Sequence, residues 1–361
     1  MPHIVVLGAG VVGLSAALRI QATGHDVTIV ARDFPSGSET MDAQGQINYT
    51  SPWGGAHNRF VPPSTAVEER EHALSLRTFD YMRAVQWRYP EAGITFMKGL
   101  EYIETPDEAY RTLTENWARV KLGMQGFRLL RKYELPDGVD WGCEYDTWCV
   151  NPMVYCAFLL RKFAFQGGQV LKREVRDPRE IFEWHFDLGP VDTLVNASGH
   201  GFGDEDVYIV RGQTCLVANK CPVTITRQNA DGSWTFCVPR NFDGGTIIGG
   251  TKEPDNWDPT PSRKVRESLL KQFAATYPQI LGPDGEFTVI KDIVGRRPTR
   301  QGGMRLEKEM VDETKAIIHA YGLGGRGYEL SWGVADVVAK LLSDHLGTPS
   351  RFGDKGNDSK L

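Results

Sequence analysis

The chain has 361 residues, 41% of them apolar and 24% charged, with 41 Lys and Arg against 46 Asp and Glu for a net charge of −5. That length fits two domains of roughly 150 residues, and the composition excludes a disordered, collagen-like or fibrous chain. The slight acidic excess argues against a nucleic-acid surface as the main function, and no run of about 18 apolar residues marks a membrane span.

His3-Ile-Val-Val-Leu7 predicts a strand buried on both faces. Gly8-Ala9-Gly10-Val11-Val12-Gly13 follows, then Leu14, Ala17, Leu18 and Gln21 at helical spacing as far as Gly24. Asp26-Val-Thr-Ile-Val-Ala31 predicts the next strand, so the chain opens with a βαβ unit and a parallel sheet. Residues 34–63 are rich in Gly, Ser, Pro and Asn without period, too long for an idle connection. Residues 67–83 predict an exposed amphipathic helix, and 94–150 alternate short strand-like and polar pieces. A buried helix is expected over 153–165, with further strands of the first sheet over 169–175 and 193–196. Residues 234–238 and 246–250 predict a hairpin of a second, more antiparallel sheet. A helix over 265–277, a strand over 317–321 and a helix over 333–342 complete the pattern. The fold expected is α/β: a Rossmann-like domain with a parallel sheet over 1–58, 147–220 and 288–361, and an inserted domain with a mixed or antiparallel sheet over 59–146 and 221–287.

The glycine motif has physical meaning because it lies between a strand and a helix. Gly8 allows a tight turn, Gly10 lets backbone approach a pyrophosphate, and Gly13 lets helix and strand pack closely, with the helix N-terminus facing the phosphates. After the second strand stand Arg32 and Asp33. An Arg there can read the 2′-phosphate of NADP, which keeps an NADP reductase open. Two later segments favour FAD. Leu194-Val-Asn-Ala-Ser-Gly199 ends a strand in small residues that let a long cofactor pass close to backbone. Gly322-Leu-Gly-Gly-Arg-Gly327 leads into Tyr328 and a helix whose N-terminus can stabilise negative charge on a reduced flavin. The six cysteines form no CxxC pair and read as reduced, mostly buried thiols, without a metal site.

These segments occur together with Tyr49-Thr-Ser-Pro-Trp-Gly-Gly-Ala56, Tyr145-Asp-Thr147, Arg211-Gly-Gln213, Val294-Gly-Arg-Arg-Pro298, His319-Ala-Tyr-Gly322 and Ser331-Trp-Gly333. In that order and spacing the chain resembles, nearly end to end, the D-amino-acid oxidase and D-aspartate oxidase family of flavoenzymes. The resemblance implies non-covalent FAD held by Gly8, Ala9, Gly10, Val12, Gly13, Arg32 and Asp33. It adds Thr50, Ser51, Gly55, Ala56, Val175, Ser198 and Gly199, and from the last glycine-rich turn Gly324, Gly325, Gly327, Tyr328 and Glu329. It also implies oxidation of a D-amino acid by hydride transfer to the flavin without a side-chain base, and reoxidation by O2 to give H2O2. Ser359-Lys360-Leu361 matches the peroxisomal address read by an import receptor. Nucleic acid and membrane are not expected partners, whereas a homo-oligomer and a related amine oxidase with covalent flavin both stay open.

At the substrate, Arg297 falls at the family's carboxylate-gripping position, a role suited to a planar guanidinium. Arg296 points the opposite way if this segment is a strand. Phe236 replaces the family's usual tyrosine, and the Gly325 carbonyl, next to Arg326, accepts from the substrate amine. Lys252 stands where animal D-aspartate oxidases carry an arginine, and His57, with Arg59 close behind, follows the Gly55-Ala56 loop. A cation there favours a second carboxylate, so Lys252 and His57 motivate an expected preference for acidic D-amino acids over neutral ones.

Overall fold

The computed structural model describes residues 2–36 and 47–348, so the Ser359-Lys360-Leu361 ending and part of the 34–63 segment lie outside the described residues. The chain divides into two compact units. One comprises Met1–Pro52, Met153–Ile209 and Arg297–Leu361, and the other Trp53–Pro152 and Val210–Arg296. These divisions depart from 58/59, 146/147, 220/221 and 287/288, and two of them fall inside strands, Val207–Val217 and Val289–Arg300. Ala56–His57 pairs with Trp141–Val150, and Val207–Val217 pairs with Thr246–Gly249, so all four strands share the second sheet.

The first unit holds a six-stranded sheet in the order Arg305–Met310, Ala316–Tyr321, Thr193–Asn196, His3–Leu7, Asp26–Ala31, Gln169–Lys172. All its pairings are parallel except that of the edge strand Arg305–Met310. Apolar runs form the central strands because both faces are covered. Helices Val11–Gln21 and Gly327–Leu346 pack together, tied by Arg19 to Asp336 at 2.7 Å. A cluster with Ile181, Phe182 and Val191 buries Val5, Leu7, Val30, Leu194 and Ile317. The last helix starts at Gly327, not near 333, because the glycine-rich stretch is one short turn, Gly324–Arg326, that leads straight into it. The strand expected over 169–175 ends at Lys172, which leaves Val175 in the following loop, packed against the same cluster.

The second unit holds a ten-stranded sheet whose main path runs Glu253–Pro254, Val207–Val217, Thr246–Gly249, Trp234–Pro239, Thr224–Gln228, Ile94–Ile103, Trp141–Val150, Ala56–His57. Val289–Arg300 pairs with Val207–Val217, and Arg128–Leu129 with Trp141–Val150. Thr224–Gln228 runs parallel to Ile94–Ile103, which makes the sheet mixed. The region read as short pieces over 94–150 contains two long paired strands, Ile94–Ile103 and Trp141–Val150. Cross-strand partners share a face and successive residues alternate, so register sorts the side chains. One face carries Ile225, Cys237, Ile248 and Cys215, packed with Phe273 of helix Arg263–Thr276 into an apolar core. The other carries Glu101, Thr226, Phe236, Gly249 and Thr214, a buried face with far more polar groups. No helix among the described residues is long and apolar enough to cross a membrane.

Candidate active site

In the first unit the strand ends and two helix starts converge. Gly8 turns with φ of 111°, a left-handed conformation in which an added Cβ would lie 2.5 Å from the Ala197 carbonyl oxygen. A Cβ at Gly13 would lie 2.0 Å from the Gly8 oxygen, so helix and turn touch backbone to backbone. Helix Val11–Gln21 has Gly10 as its N-cap and no capping side chain, though the Ser51 hydroxyl accepts from the Val11 N–H at 3.0 Å. The Ser51 carbonyl accepts from the Tyr328 hydroxyl at 2.7 Å, and a Cβ at Gly327 would sit 3.7 Å from Val11 Cγ1. Tyr49 donates to the Ala9 carbonyl at 2.7 Å, and the Gly322 N–H to the Gly199 carbonyl at 3.1 Å. Val12, Thr50, Ser198 and Gly324 lie along these same segments.

The second helix, Gly327–Leu346, also starts without a capping side chain, and Glu329 in its first turn takes the Arg326 Nε at 2.7 Å. Space opens at Gly325, where an added Cβ would meet nothing within 4 Å. Two helix N-termini whose N-cap residues make no side-chain capping bond, and two glycines without room for a side chain, form a cradle that fits a dinucleotide. Arg32 Nε meets the Asp33 carboxylate at 2.9 Å and its Nη1 lies 3.8 Å from Glu174. Two carboxylates around one guanidinium favour a ribose hydroxyl there over a 2′-phosphate, which supports FAD over NADP. In strand Val289–Arg300, the Arg296 guanidinium lies 5.2 Å from the Trp257 ring centroid and bonds its carbonyl. Strand alternation therefore sends the partly buried Arg297 to the opposite side.

In the second unit, Phe236 lies in a slot made by missing side chains. Its ring atoms would be 2.1 Å from a Cβ at Gly249, 3.1 Å from one at Gly250 and 3.3 Å from one at Gly55. Ala56 is buried beside this slot. His57 Nδ1 is hydrogen-bonded to the Thr224 hydroxyl. Burial, with the Arg59 charge adding to it, lowers the proton affinity of its ring to about 3, so His57 is neutral near pH 7. Arg59 is itself paired with the buried Glu101 carboxylate, and its guanidinium stacks 4.5 Å from the Trp234 ring centroid. Glu101 also accepts from Tyr145 Oη and Gln228 Nε2, each at 3.3 Å. This corrects the expectation that His57 supplies a cation: it is a neutral hydrogen-bonding group, and the Arg59 charge is already met.

Lys252 is exposed and makes no ion pair or hydrogen bond among the described residues. The segment after it is pinned by two residues that the sequence marked only as part of a resemblance. Arg211 grips both Glu253 oxygens at 2.8 and 2.9 Å and the carbonyls of Asp258 and Thr260, while Gln213 makes a two-way bond with the Ser262 backbone. Glu101, Thr224 and Trp234 carry no motif of their own, because their place around His57 and Arg59 depends on sheet register.

A family model described as FAD dependent oxidoreductase matches residues 3–341. The chain is 42% identical to a D-aspartate oxidase from Talaromyces thermophilus over 94% of this chain and 95% of that protein. It is 30% identical to a D-amino-acid oxidase from Fusarium vanettenii, covering 96% and 98%. Among solved structures, glycine oxidase from Geobacillus kaustophilus superposes with a TM-score of 0.70 at 19% identity, covering 98% of this chain and 97% of that one.

Proposed function

Because this chain belongs to the FAD dependent oxidoreductase family, we propose that it oxidises D-amino acids, preferring D-aspartate and D-glutamate, to 2-oxo acids and ammonia while O2 becomes H2O2. FAD, held non-covalently in the first unit's cradle, supplies the hydride acceptor when bound. Arg297 grips the substrate α-carboxylate through two parallel N–H···O bonds. The Gly325 carbonyl accepts from the amine and fixes which hydrogen on Cα is presented. Phe236 shapes the pocket without the hydroxyl its family usually has there, a loss of about 1 kcal/mol of hydrogen bonding.

The observation that carries the acidic preference is the state of three basic groups. His57 is neutral, Arg59 is matched by Glu101, and Lys252 alone of the three keeps its charge unmatched among the described residues. Lys252 therefore receives the side-chain carboxylate and disfavours basic substrates. The Ser359-Lys360-Leu361 ending directs the enzyme to the peroxisome.

Peroxide release from D-aspartate, D-glutamate, D-alanine and their L-forms tests this reading. Lys252→Met should lower the ratio of kcat/KM for D-aspartate over D-alanine by about two- to fivefold, the scale of one exposed charge pair. A ratio unmoved by the substitution overturns the role of Lys252, and equal turnover of L-forms overturns the whole assignment. Acid precipitation should leave a colourless pellet and a yellow supernatant.

A further inference from the structure

All six thiols are free and buried, and in the second unit two of them touch: Cys237 Sγ lies 3.6 Å from Cys221 Sγ. Cys237 is in strand Trp234–Pro239, opposite Ile225 of the neighbouring strand Thr224–Gln228, and is fully enclosed by the apolar core. Cys221 lies in the turn just before that neighbouring strand, between the exposed Lys220 and Pro222, and keeps a trace of exposure at 6%. The two are therefore unequal: Cys221 keeps a trace of exposure, and Cys237 is fully enclosed. A disulfide needs sulfurs about 2.05 Å apart, so a closing movement of roughly 1.5 Å bridges the pair.

We propose that Cys221 and Cys237 form an oxidisable dithiol whose oxidant is hydrogen peroxide. Cys237 donates its hydrogen bond to the Cys221 sulfur, and that bond draws the Cys221 thiol below its ordinary range, whereas burial pushes the Cys237 thiol well above it. The Cys221 thiolate attacks one peroxide oxygen. The O–O bond breaks, hydroxide leaves, and Cys221 becomes a sulfenic acid. The Cys237 sulfur then attacks the Cys221 sulfur and loses its proton, the S–O bond breaks, and the second oxygen departs as water. In sum, two thiols and one H2O2 give one disulfide and two waters. The bridge ties the entry of Thr224–Gln228 to the strand that presents Phe236.

The source of the peroxide rests on the oxidase reading above, but the dithiol does not. Resting holoenzyme treated with stoichiometric H2O2 should lose two of its titratable thiols, and non-reducing peptide mapping should join Cys221 to Cys237 with the loss of two hydrogen atoms. Cys221→Ala should abolish that loss, and Cys143→Ala should retain it. If every thiol survives, if Cys221 accumulates added oxygen, or if the bridge joins Cys149 instead, the proposal is overturned from wild-type protein alone. A second arm turns over D-aspartate in air, with and without catalase. Closure that catalase prevents supports both readings. Closure by added peroxide but not by turnover upholds the dithiol and overturns the oxidase reading.

Discussion

The glycines of the first unit's βαβ turn and those around Phe236 in the second serve opposite ends. In the first, the missing side chains let backbone meet backbone, as where Gly13 abuts the Gly8 oxygen. In the second, Gly249 and Gly55 make room for a ring, that of Phe236. A carbonyl fixed in a turn cannot retreat, whereas a phenyl ring can turn aside. That turn is thus rigid by construction, and the slot is a surface whose shape is set by one movable side chain.

The largest expected effect tests the rigid side of this contrast. Gly13→Val places carbon within 2.0 Å of backbone and should abolish flavin retention, with a destabilisation above about 4 kcal/mol. Absorbance of the purified protein and its Tm read this directly. If a yellow protein of native Tm emerged, the backbone contact would be adjustable after all. Next comes Arg297→Ala, which should keep flavin and Tm but lower kcat/KM by roughly 10²- to 10⁴-fold, the scale of losing a charge-assisted pair worth about 3–5 kcal/mol. Normal kcat/KM would show that another group grips the carboxylate.

The movable side is tested by Gly249→Ala, which collides with the Phe236 ring and should cost about 1–3 kcal/mol as overpacking. Adding Phe236→Ala should recover much of the lost Tm, because the colliding ring is gone. A double variant no better than the single would show that backbone, not the ring, resists the new methyl. The smallest effect concerns His57. Its folded-state proton affinity, about 3 against an ordinary 6.5, lies below the unfolded value, so the unfolded chain binds the extra proton between those pH values. The stability tied to this group is complete above pH 6.5 and drains away as the pH falls toward 3. Gln at position 57 should flatten that stretch of the Tm profile, and an unchanged slope would mean that the ring is protonated in the folded state.

How much of this could be read beforehand differs between the units for a physical reason. The βαβ opening depends on residues close in sequence, so Gly8 to Gly13 and the strands around them were legible with nearly correct limits. The exchange of 333 for Gly327 as a helix start arose because glycines read as a loop, yet a first turn tolerates them when tertiary packing holds the helix. The polar face of the second sheet was hidden. Glu101, Thr226 and Phe236 come from three strands, and only their register shows that they share a side. His57 resembles a cation in the bare sequence because its partners, Thr224 and Arg59 held by Glu101, come together only when the sheet is assembled.

The outermost strand of the parallel sheet, Arg305–Met310, carries one further consequence. It runs against the direction of its neighbours and presents Arg305, Glu307, Lys308 and Glu309 along a border with no strand beyond it on the sheet path. Unlike charges fenced along a margin make a poor template for a stranger's strand. That border is accordingly guarded against adventitious sheet extension.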